Sequence, residues 1–191
     1  MKVSKAQVQE NRARIVETAS ALFRERGYDG VGVAELMAAA GFTHGGFYKH
    51  FGSKADLMAE AAACGFAQRL GGSGALGLDE FIGQYLSRGH RDQRAAGCTV
   101  AALSGDAARQ PEEIKATFAA GIESSLAAFQ RQGAGPDAQP VSRERMLDTF
   151  AHMVGALVLS RACPDDSPLA DEVLEVCRRQ ILTSLQSTRE D

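Results

Sequence analysis

The sequence predicts an all-α protein of about nine helices. Apolar residues recur at intervals of three and four along nearly every segment, and no run of alternating β-branched residues indicates a strand. With 45% hydrophobic and 24% charged residues, the composition is that of an ordinary globular protein. We expect a small N-terminal head, residues 1–56, and a larger C-terminal helical body, residues 57–191.

The head is predicted to consist of short helices joined by tight turns. Ile15 and Phe23 belong to the apolar stripe of the first helix. Thr43 is a candidate N-cap for the third helix, and Ser53 followed by Asp56 is a capping-box-like start for the fourth. The four predicted helices cover about residues 11–26, 33–40, 43–51 and 54–70.

The body is predicted to hold longer helices separated by two loops. The loops are the turn-rich stretches 71–77 and 133–140. Residues 146–159 are apolar on more than one face, so this helix needs several neighbours. The predicted body helices cover about residues 78–89, 98–103, 111–129, 142–161 and 167–185.

Charge is distributed unevenly along the chain. The formal net charge is −3, which argues against a nonspecific nucleic-acid coat. Residues 1–54 nevertheless contain eight Lys or Arg and five Asp or Glu, so the head is basic and the remainder is acidic. A basic head suits local contact with phosphate.

Several function classes find no support in the sequence. There is no signal-peptide-like N-terminus and no uncharged stretch of spanning length, so we expect a cytoplasmic protein without a membrane partner. The four cysteines form no CxxC pair and are interpreted as free thiols. No GxSxG, phosphate-binding Gly-rich loop, HExxH or carboxylate cluster is present, so we expect no enzyme, metal or cofactor.

A helix, a Gly-containing turn and a second short helix are typical of a helix-turn-helix, in which the second helix enters the major groove of DNA. The string from Arg12 to Ala61, with its signature Gly45-x-x-Tyr48-x-His50-Phe51-x-Ser53-Lys54, resembles the head of the tetracycline-repressor (TetR) family nearly position for position. The resemblance covers about a third of the chain. It implies contacts to a double-stranded DNA operator from Thr43, His44, Gly45, Tyr48, Lys49, His50 and Lys54.

The chemistry of these residues agrees with the implied roles. Tyr48 offers a phenolic donor on a short arm, and Lys54 places a cation beside amides of the next helix that favour an anion such as phosphate. His50 has an alternative role as a partial cation that closes its helix C-terminus. Val31 and Gly32 depart from the family, which often has Thr or Ser there.

For the body, the resemblance implies a homodimer and a cavity for a small molecule. The dimer would form through the last two helices, with candidate residues Gly155, Leu157, Val173, Cys177 and Ile181. The candidate ligand-binding residues are Phe81, Tyr85, Phe118, Ile122 and Phe150. These aromatic and aliphatic residues serve equally well as core. The effector itself is not predictable from the sequence.

Cys98 differs from the other thiols by its position. It follows Gly97 at the predicted start of a helix, shortly after Arg91 and Arg94, and a helix N-terminus with nearby cations favours the thiolate. The segment is also similar to that of TetR-like regulators in which a cysteine at this place senses electrophiles or oxidants. The alternative is a small buried apolar residue.

Together these features predict a DNA-binding transcriptional regulator. The leading hypothesis is a dimeric repressor that a small-molecule ligand or thiol modification releases from a pseudo-palindromic operator. An activator or dual regulator of the same family is the alternative. A helical interaction module would explain the apolar last helices but not Tyr48, His50 and Lys54 together.

Overall fold

The computed structural model describes residues 4–72, 76–133 and 141–187 of the chain. Within these ranges there are nine α-helices, two short 3-10 helices and no strand, so the all-α prediction is confirmed. The α-helices are α1 (Lys5–Arg26), α2 (Val33–Ala39), α3 (Lys54–Gly72), α4 (Leu78–Tyr85), α5 (Arg88–Asp92), α6 (Thr99–Ala107), α7 (Glu112–Gly133), α8 (Arg143–Ala162) and α9 (Pro168–Ser187). The 3-10 helices are His44–Lys49 and Arg94–Ala96.

Helix α1 begins earlier than its predicted start near residue 11. Ser4 is the N-cap, and its Oγ accepts a hydrogen bond of 3.1 Å from the backbone N–H of Gln7. The first turns are exposed, which is why no apolar stripe marks them in the sequence. The helix ends as predicted at Gly27, whose positive φ of 76° is easily adopted by glycine and whose N–H donates to Phe23 O.

The third helix of the head is a 3-10 helix, shorter than the predicted segment 43–51. Thr43 is its N-cap residue, but the Thr43 side chain makes no capping hydrogen bond. Gly45 and Gly46 stabilise an α-helix poorly, and the tighter 3-10 form suits a short segment held by packing. That packing comes from Phe47 and Phe51, which are 1% and 3% exposed.

Helix α3 begins with the predicted capping box. Asp56 N donates to Ser53 Oγ at 3.1 Å, and Ser53 N donates to Asp56 Oδ2 at 3.0 Å. The same carboxylate oxygen accepts from Gly52 N at 3.0 Å. Helix α3 then continues through Gly72, into the stretch predicted as a loop.

The predicted loops lie partly outside the described residues. Residues 73–75 and 134–140 are not described, whereas Leu76 and Gly77 precede α4 as non-helical chain. The predicted helix 78–89 is two helices: α4 ends at Tyr85, and Ser87 caps α5 by accepting from His90 N at 3.2 Å. A serine side chain that competes for backbone amides favours this break.

The head packs directly on the body. Helix α1 lies along α3 and also contacts α6, and the apolar residues of head and body form one continuous core. Asp106 of α6 adds a polar link, because its Oδ2 accepts the Tyr28 N–H at 3.0 Å. The α1–α2 connection is thereby tied to the body.

Helices α8 and α9 pack extensively against each other. Two residues predicted at the dimer interface, Leu157 and Ile181, are buried within the chain itself at 0% and 3% exposure. They therefore do not present a surface to a partner. Gly155, Val173 and Cys177 are half-buried. The exposed large apolar residues on these two helices are Leu147, Val158, Leu159, Leu169 and Val176.

Candidate DNA-binding surface and effector cavity

The 3-10 helix of the head presents most of the residues predicted to contact DNA. Thr43, His44, Gly45 and Lys49 are exposed, and the Tyr48 side chain is 71% exposed. These residues share one short element because Phe47 anchors its opposite side in the core. The exposed side combines hydroxyl, phenol, imidazole and ammonium groups, all able to donate hydrogen bonds to phosphate or base edges.

Tyr48 has a defined position despite its exposure. Its ring meets the Phe47 ring edge-on, with centroids 5.2 Å apart. The Phe47 ring in turn lies 5.5 Å from that of Phe51. An aromatic stack that continues into the core therefore supports the exposed phenol.

His50 is placed between the core and the surface. It is half-buried, and its ring lies between those of Phe42 and Phe51, with centroid distances of 6.4 and 6.3 Å. Its Nδ1 is buried and has no hydrogen-bond partner among the described residues. Its carbonyl accepts from Arg12 Nε at 3.4 Å. The ring therefore has a packing role in addition to its predicted contact with DNA.

The structural setting of Lys54 differs from the expected one. Its Nζ donates to Tyr28 O at 2.6 Å and lies 5.9 Å from the centroid of the Phe23 ring. The adjacent amides of Gly52 and Ser53 already donate to the Asp56 carboxylate. A phosphate would compete with that carboxylate, so the amides at the start of α3 are not free to bind one as predicted.

Arg14 is a surface cation of the head that the sequence analysis missed. It is exposed, and its guanidinium carbon lies 4.6 Å from the centroid of Phe42, the residue before Thr43. Two other arginines of the head are paired with carboxylates: Arg12 bonds to Glu60, and Arg26 bonds to Glu35. The local sequence around Arg14 does not indicate this position, because its stacking partner Phe42 lies in a turn that is distant along the chain.

A cavity of about 440 Å³ lies between the C-terminal part of α1, α3, α4, α5 and the 3-10 helix Arg94–Ala96. This volume is within the range of small-molecule sites. Its wall combines Phe81 and Leu76 with the polar side chains of Arg24, Gln68 and His90. No Asp or Glu is among the described residues that line it.

Of the residues predicted to bind a ligand, only Phe81 lies among the described residues of the cavity wall. Tyr85, Phe118 and Phe150 are at most 6% exposed, and Ile122 is half-buried. The aromatic rings form a packed set in which Phe81 meets Phe129 at 4.9 Å between centroids and Phe66 meets Phe118 at 5.5 Å. Tyr85, Phe118, Ile122 and Phe150 therefore belong to the packed core, the alternative to a ligand-binding role.

Cys98 is the N-cap residue of α6, as predicted, and it is 6% exposed. Its N–H donates to His90 Nε2 at 3.1 Å, while His90 Nδ1 lies 2.7 Å from Tyr85 O. With Nε2 accepting, Nδ1 carries the proton and the ring is neutral. Gly97, the residue before Cys98, lines the cavity, whereas Cys98 itself is not among the described lining residues.

Of the two cations expected near Cys98, Arg91 already has acidic partners. Arg91 is 1% exposed and bonds to Asp92 at 2.6 Å and to Asp165 at 2.9 Å, so its charge is balanced. Two further cations, Arg24 and Arg161, also lie within electrostatic reach of Cys98. Both come from helices distant in sequence, which is why local spacing did not indicate them.

Two of the other thiols lie in surroundings that favour the neutral form. Burial raises the pKa of Cys64 and of Cys177. Cys163 is the C-cap residue of α8, and its Sγ lies 3.4 Å from Leu159 O.

Within the described part of the chain, no group of three or more His, Cys, Asp or Glu side chains could hold a metal ion. None of the helices described there combines the length and the apolar character needed to cross a membrane.

Comparison with known proteins agrees with this geometry. The model of the family "Bacterial regulatory proteins, tetR family" matches residues 15–61, which contain α1 from Ile15, α2, the 3-10 helix and the start of α3. The HTH-type transcriptional regulator AcrR of Shigella flexneri is 39% identical over 57 residues. That match spans 30% of this chain and only 26% of AcrR.

Two further similarities extend over nearly the whole chain. An uncharacterized HTH-type transcriptional regulator of Mycobacterium tuberculosis is 30% identical over 192 aligned residues, covering 91% of this chain and 95% of that protein. The reduced form of Escherichia coli NemR has the same fold, with a TM-score of 0.71 at 21% identity and coverage of 90% and 95% of the two chains. The chain therefore belongs to the TetR family of bacterial transcriptional regulators.

Proposed function

We propose that the protein is a dimeric repressor that binds a pseudo-palindromic operator and is released from it by a small-molecule effector. Residues 1–56 act as the DNA-binding head and residues 57–191 as the effector-binding and dimerisation body. The observation that carries the DNA-binding part is the row of exposed donors on the 3-10 helix His44–Lys49, held by the buried Phe47.

The operator contacts in this proposal fall into two groups. Tyr48, Lys49 and Arg14 act on phosphates, since each presents a donor or cation at the surface. Thr43, His44 and Gly45 lie at the start of the 3-10 helix, the end that enters the major groove in a helix-turn-helix. His50 and Lys54 support this surface from below and contact the backbone at its edge.

The dimer forms through the exposed apolar residues of α8 and α9. Val158 and Leu159 of α8 are 43% and 60% exposed, and Leu169 and Val176 of α9 are 53% and 37% exposed. Apolar surface of this kind on two adjacent packed helices favours burial against a copy of itself. Gly155, Val173 and Cys177 lie at the margin of this face.

The cavity provides the effector site, and two contacts link it to the head. Arg24, in the cavity wall, belongs to α1, and Arg24 Nε donates to Ala95 O at 2.7 Å. Asp106, at the far end of α6 from Cys98, holds the Tyr28 N–H. An effector that prefers one arrangement of these helices would change the population of DNA-competent heads.

Footprinting of genomic fragments retained by the purified protein tests the operator. We expect a protected site made of two half-sites about one helical turn apart or somewhat more. Equal binding to all fragments, with no protected site, would contradict the proposal. Reporter expression from the same fragments with and without the protein separates repression from activation, the alternative mode.

Thiol modification is the second candidate for release, favoured by the position of Cys98 at the start of α6 and beside the cavity. Operator binding by the wild type and by Cys98→Ser is compared before and after a mild electrophile. Release of the wild type alone assigns the response to Cys98. Equal responses leave the noncovalent cavity as the site of control.

A further inference from the structure

Arg24 carries a buried charge that no carboxylate of the described residues balances. The residue is 7% exposed, and burial lowers the pKa of its guanidinium. Its hydrogen bonds go to neutral acceptors: Ala95 O at 2.7 Å, Ser20 Oγ at 2.7 Å and Gln68 Oε1 at 3.3 Å. A guanidinium has five N–H donors, so this set leaves donors over.

Arg91, which is also buried, shows how this chain balances such a charge elsewhere. Arg91 bonds to the carboxylates of Asp92 and Asp165. Leaving a buried cation without a counter-charge is unfavourable, so the contrast between the two arginines requires an explanation. Arg24 differs from Arg91 in lining the cavity, where a bound group could supply the missing charge.

A second cation lies behind the cavity wall. Arg161 donates to Arg91 O at 3.0 Å and to His90 O at 2.9 Å, and burial lowers its pKa also. A Cβ placed on Gly97, a wall residue, would lie 2.9 Å from Arg161 Nη2. The cavity is therefore flanked by two guanidiniums and, among its described residues, by no acidic group.

The backbone of α3 is shaped to admit the Arg24 side chain. A Cβ on Gly65 would lie 2.4 Å from Arg24 Nη1 and 2.4 Å from Thr99 Oγ1. The Thr99 side chain is itself buried, and its hydroxyl has no hydrogen-bond partner among the described residues. Glycine at this position thus keeps a cation and a hydroxyl close together beside the cavity.

We infer that the cavity binds a small organic carboxylate, whose charged end pairs with Arg24 and whose apolar end packs against Phe81 and Leu76. This inference names the ligand class of the effector site proposed above and rests on that proposal for its regulatory meaning. A planar guanidinium with spare donors suits a carboxylate, which accepts two parallel hydrogen bonds. The cavity volume of about 440 Å³ holds a molecule of the size of an aromatic acid.

The test measures binding directly and without DNA. Isothermal titration calorimetry of the full chain compares benzoate and phenylacetate with benzamide and phenylacetamide, which have the same shape and no charge. We expect at least one acid to bind more tightly than its amide by about tenfold or more, as a charge-assisted pair with a buried arginine requires. Equal binding of acids and amides, or binding of neither, overturns the inference.

Gln68→Glu assigns the site without removing any Arg24 contact. The new carboxylate stands where Gln68 Oε1 lies, 3.3 Å from Arg24 Nη2, and supplies the counter-charge internally. We expect a higher Tm and an affinity for the acid that is lower by about tenfold or more. If Gln68→Glu binds the acid with wild-type affinity, the inference is overturned. This test does not depend on a variant such as Arg24→Gln, which removes the buried arginine and could prevent folding.

Gln9→Glu is the matched control. It makes the same change at an exposed position of α1, fifteen residues before Arg24 and about 22 Å away along the helix. It should bind the acids as the wild type does.

The carboxylate site and the proposed release by an effector can fail separately. If Gln68→Glu removes acid binding but the acid leaves the operator affinity of the wild type unchanged, the carboxylate site is supported and effector release by the acid is contradicted. If the protein binds no acid but other compounds release it from the operator, effector release is supported and the carboxylate site is contradicted.

Discussion

At the scale of single residues, the predicted DNA contacts separate into two physical types. Lys49 and Tyr48 are held at the surface and make no hydrogen bond to the described part of the fold. Lys54 and His50 are partly committed to the protein through the Tyr28 carbonyl and the neighbouring aromatic rings. Substitutions should therefore affect binding alone in the first type and binding together with stability in the second.

Lys49→Ala tests the first type. We expect weaker binding to all DNA sequences alike and a salt dependence reduced by about one counterion, because one phosphate contact is lost. Tyr48→Phe should weaken binding in the same direction. Titrations at several salt concentrations measure both effects. Lys115→Ala, an exposed lysine of the body with 46% side-chain exposure, serves as the control and should match the wild type.

Lys54→Ala tests the second type. Loss of the bond from Nζ to Tyr28 O should lower the free energy of unfolding by about 1–2 kcal/mol, since a charged donor is removed from a partly buried carbonyl. Urea denaturation measures this change, and operator titration of the folded variant measures the DNA contact. A variant as stable as the wild type would show that the Tyr28 bond contributes nothing.

At the scale of elements, periodicity located nearly all helices but left some of their limits undetermined. Helix α1 extends to Lys5 through exposed turns that have no apolar stripe, and Ser87 divides a stretch whose apolar residues fit one continuous helix. Helix α8 is apolar on several faces, so the sequence alone could not show that Leu157 points inward and Leu159 outward. Such choices depend on neighbours that are distant in sequence.

The same holds for the candidate site. The signature around Tyr48 located the DNA-binding element, because each of its exposed residues belongs to one local segment. Arg24 and Asp106 act through partners more than 40 residues away, Gln68 and Tyr28 respectively. Separations of 44 and 78 residues leave no local pattern that could indicate these contacts.

Gly45→Ala tests whether the backbone of the 3-10 helix approaches DNA. A Cβ at this position meets nothing within 4 Å in the protein, so the fold should tolerate it. We expect unchanged or slightly higher stability and an operator affinity reduced on the order of tenfold, because the added Cβ would hold the backbone away from the DNA at the cost of about one hydrogen bond. Gly105→Ala on α6 also points into open space and should change neither quantity. Equal operator affinity in both variants would place Gly45 away from the DNA.

At the scale of the whole molecule, the body presents two separate features. One is the apolar face on α8 and α9, and the other is the cavity, whose described lining contains no residue of these two helices. Leu159→Arg should give a folded monomer, because a residue that is 60% exposed becomes charged without disturbing the core. Leu157→Arg, two residues earlier, should prevent folding, because its side chain is 0% exposed. Sedimentation and circular dichroism distinguish these outcomes. A dimer in the Leu159→Arg protein would move the interface elsewhere.

Helix α1 carries Arg14 at the head and Arg24 at the cavity on a single rod. If occupancy of the cavity and occupancy of the operator both depend on how this rod is placed, their free energies are linked in both directions. An acid that weakens operator binding by a given factor must itself bind the operator-bound protein more weakly by that same factor. Protein that is free of operator would then bind the acid at lower concentrations than operator-bound protein does. As the acid concentration rises, the operator-free molecules would therefore become occupied first.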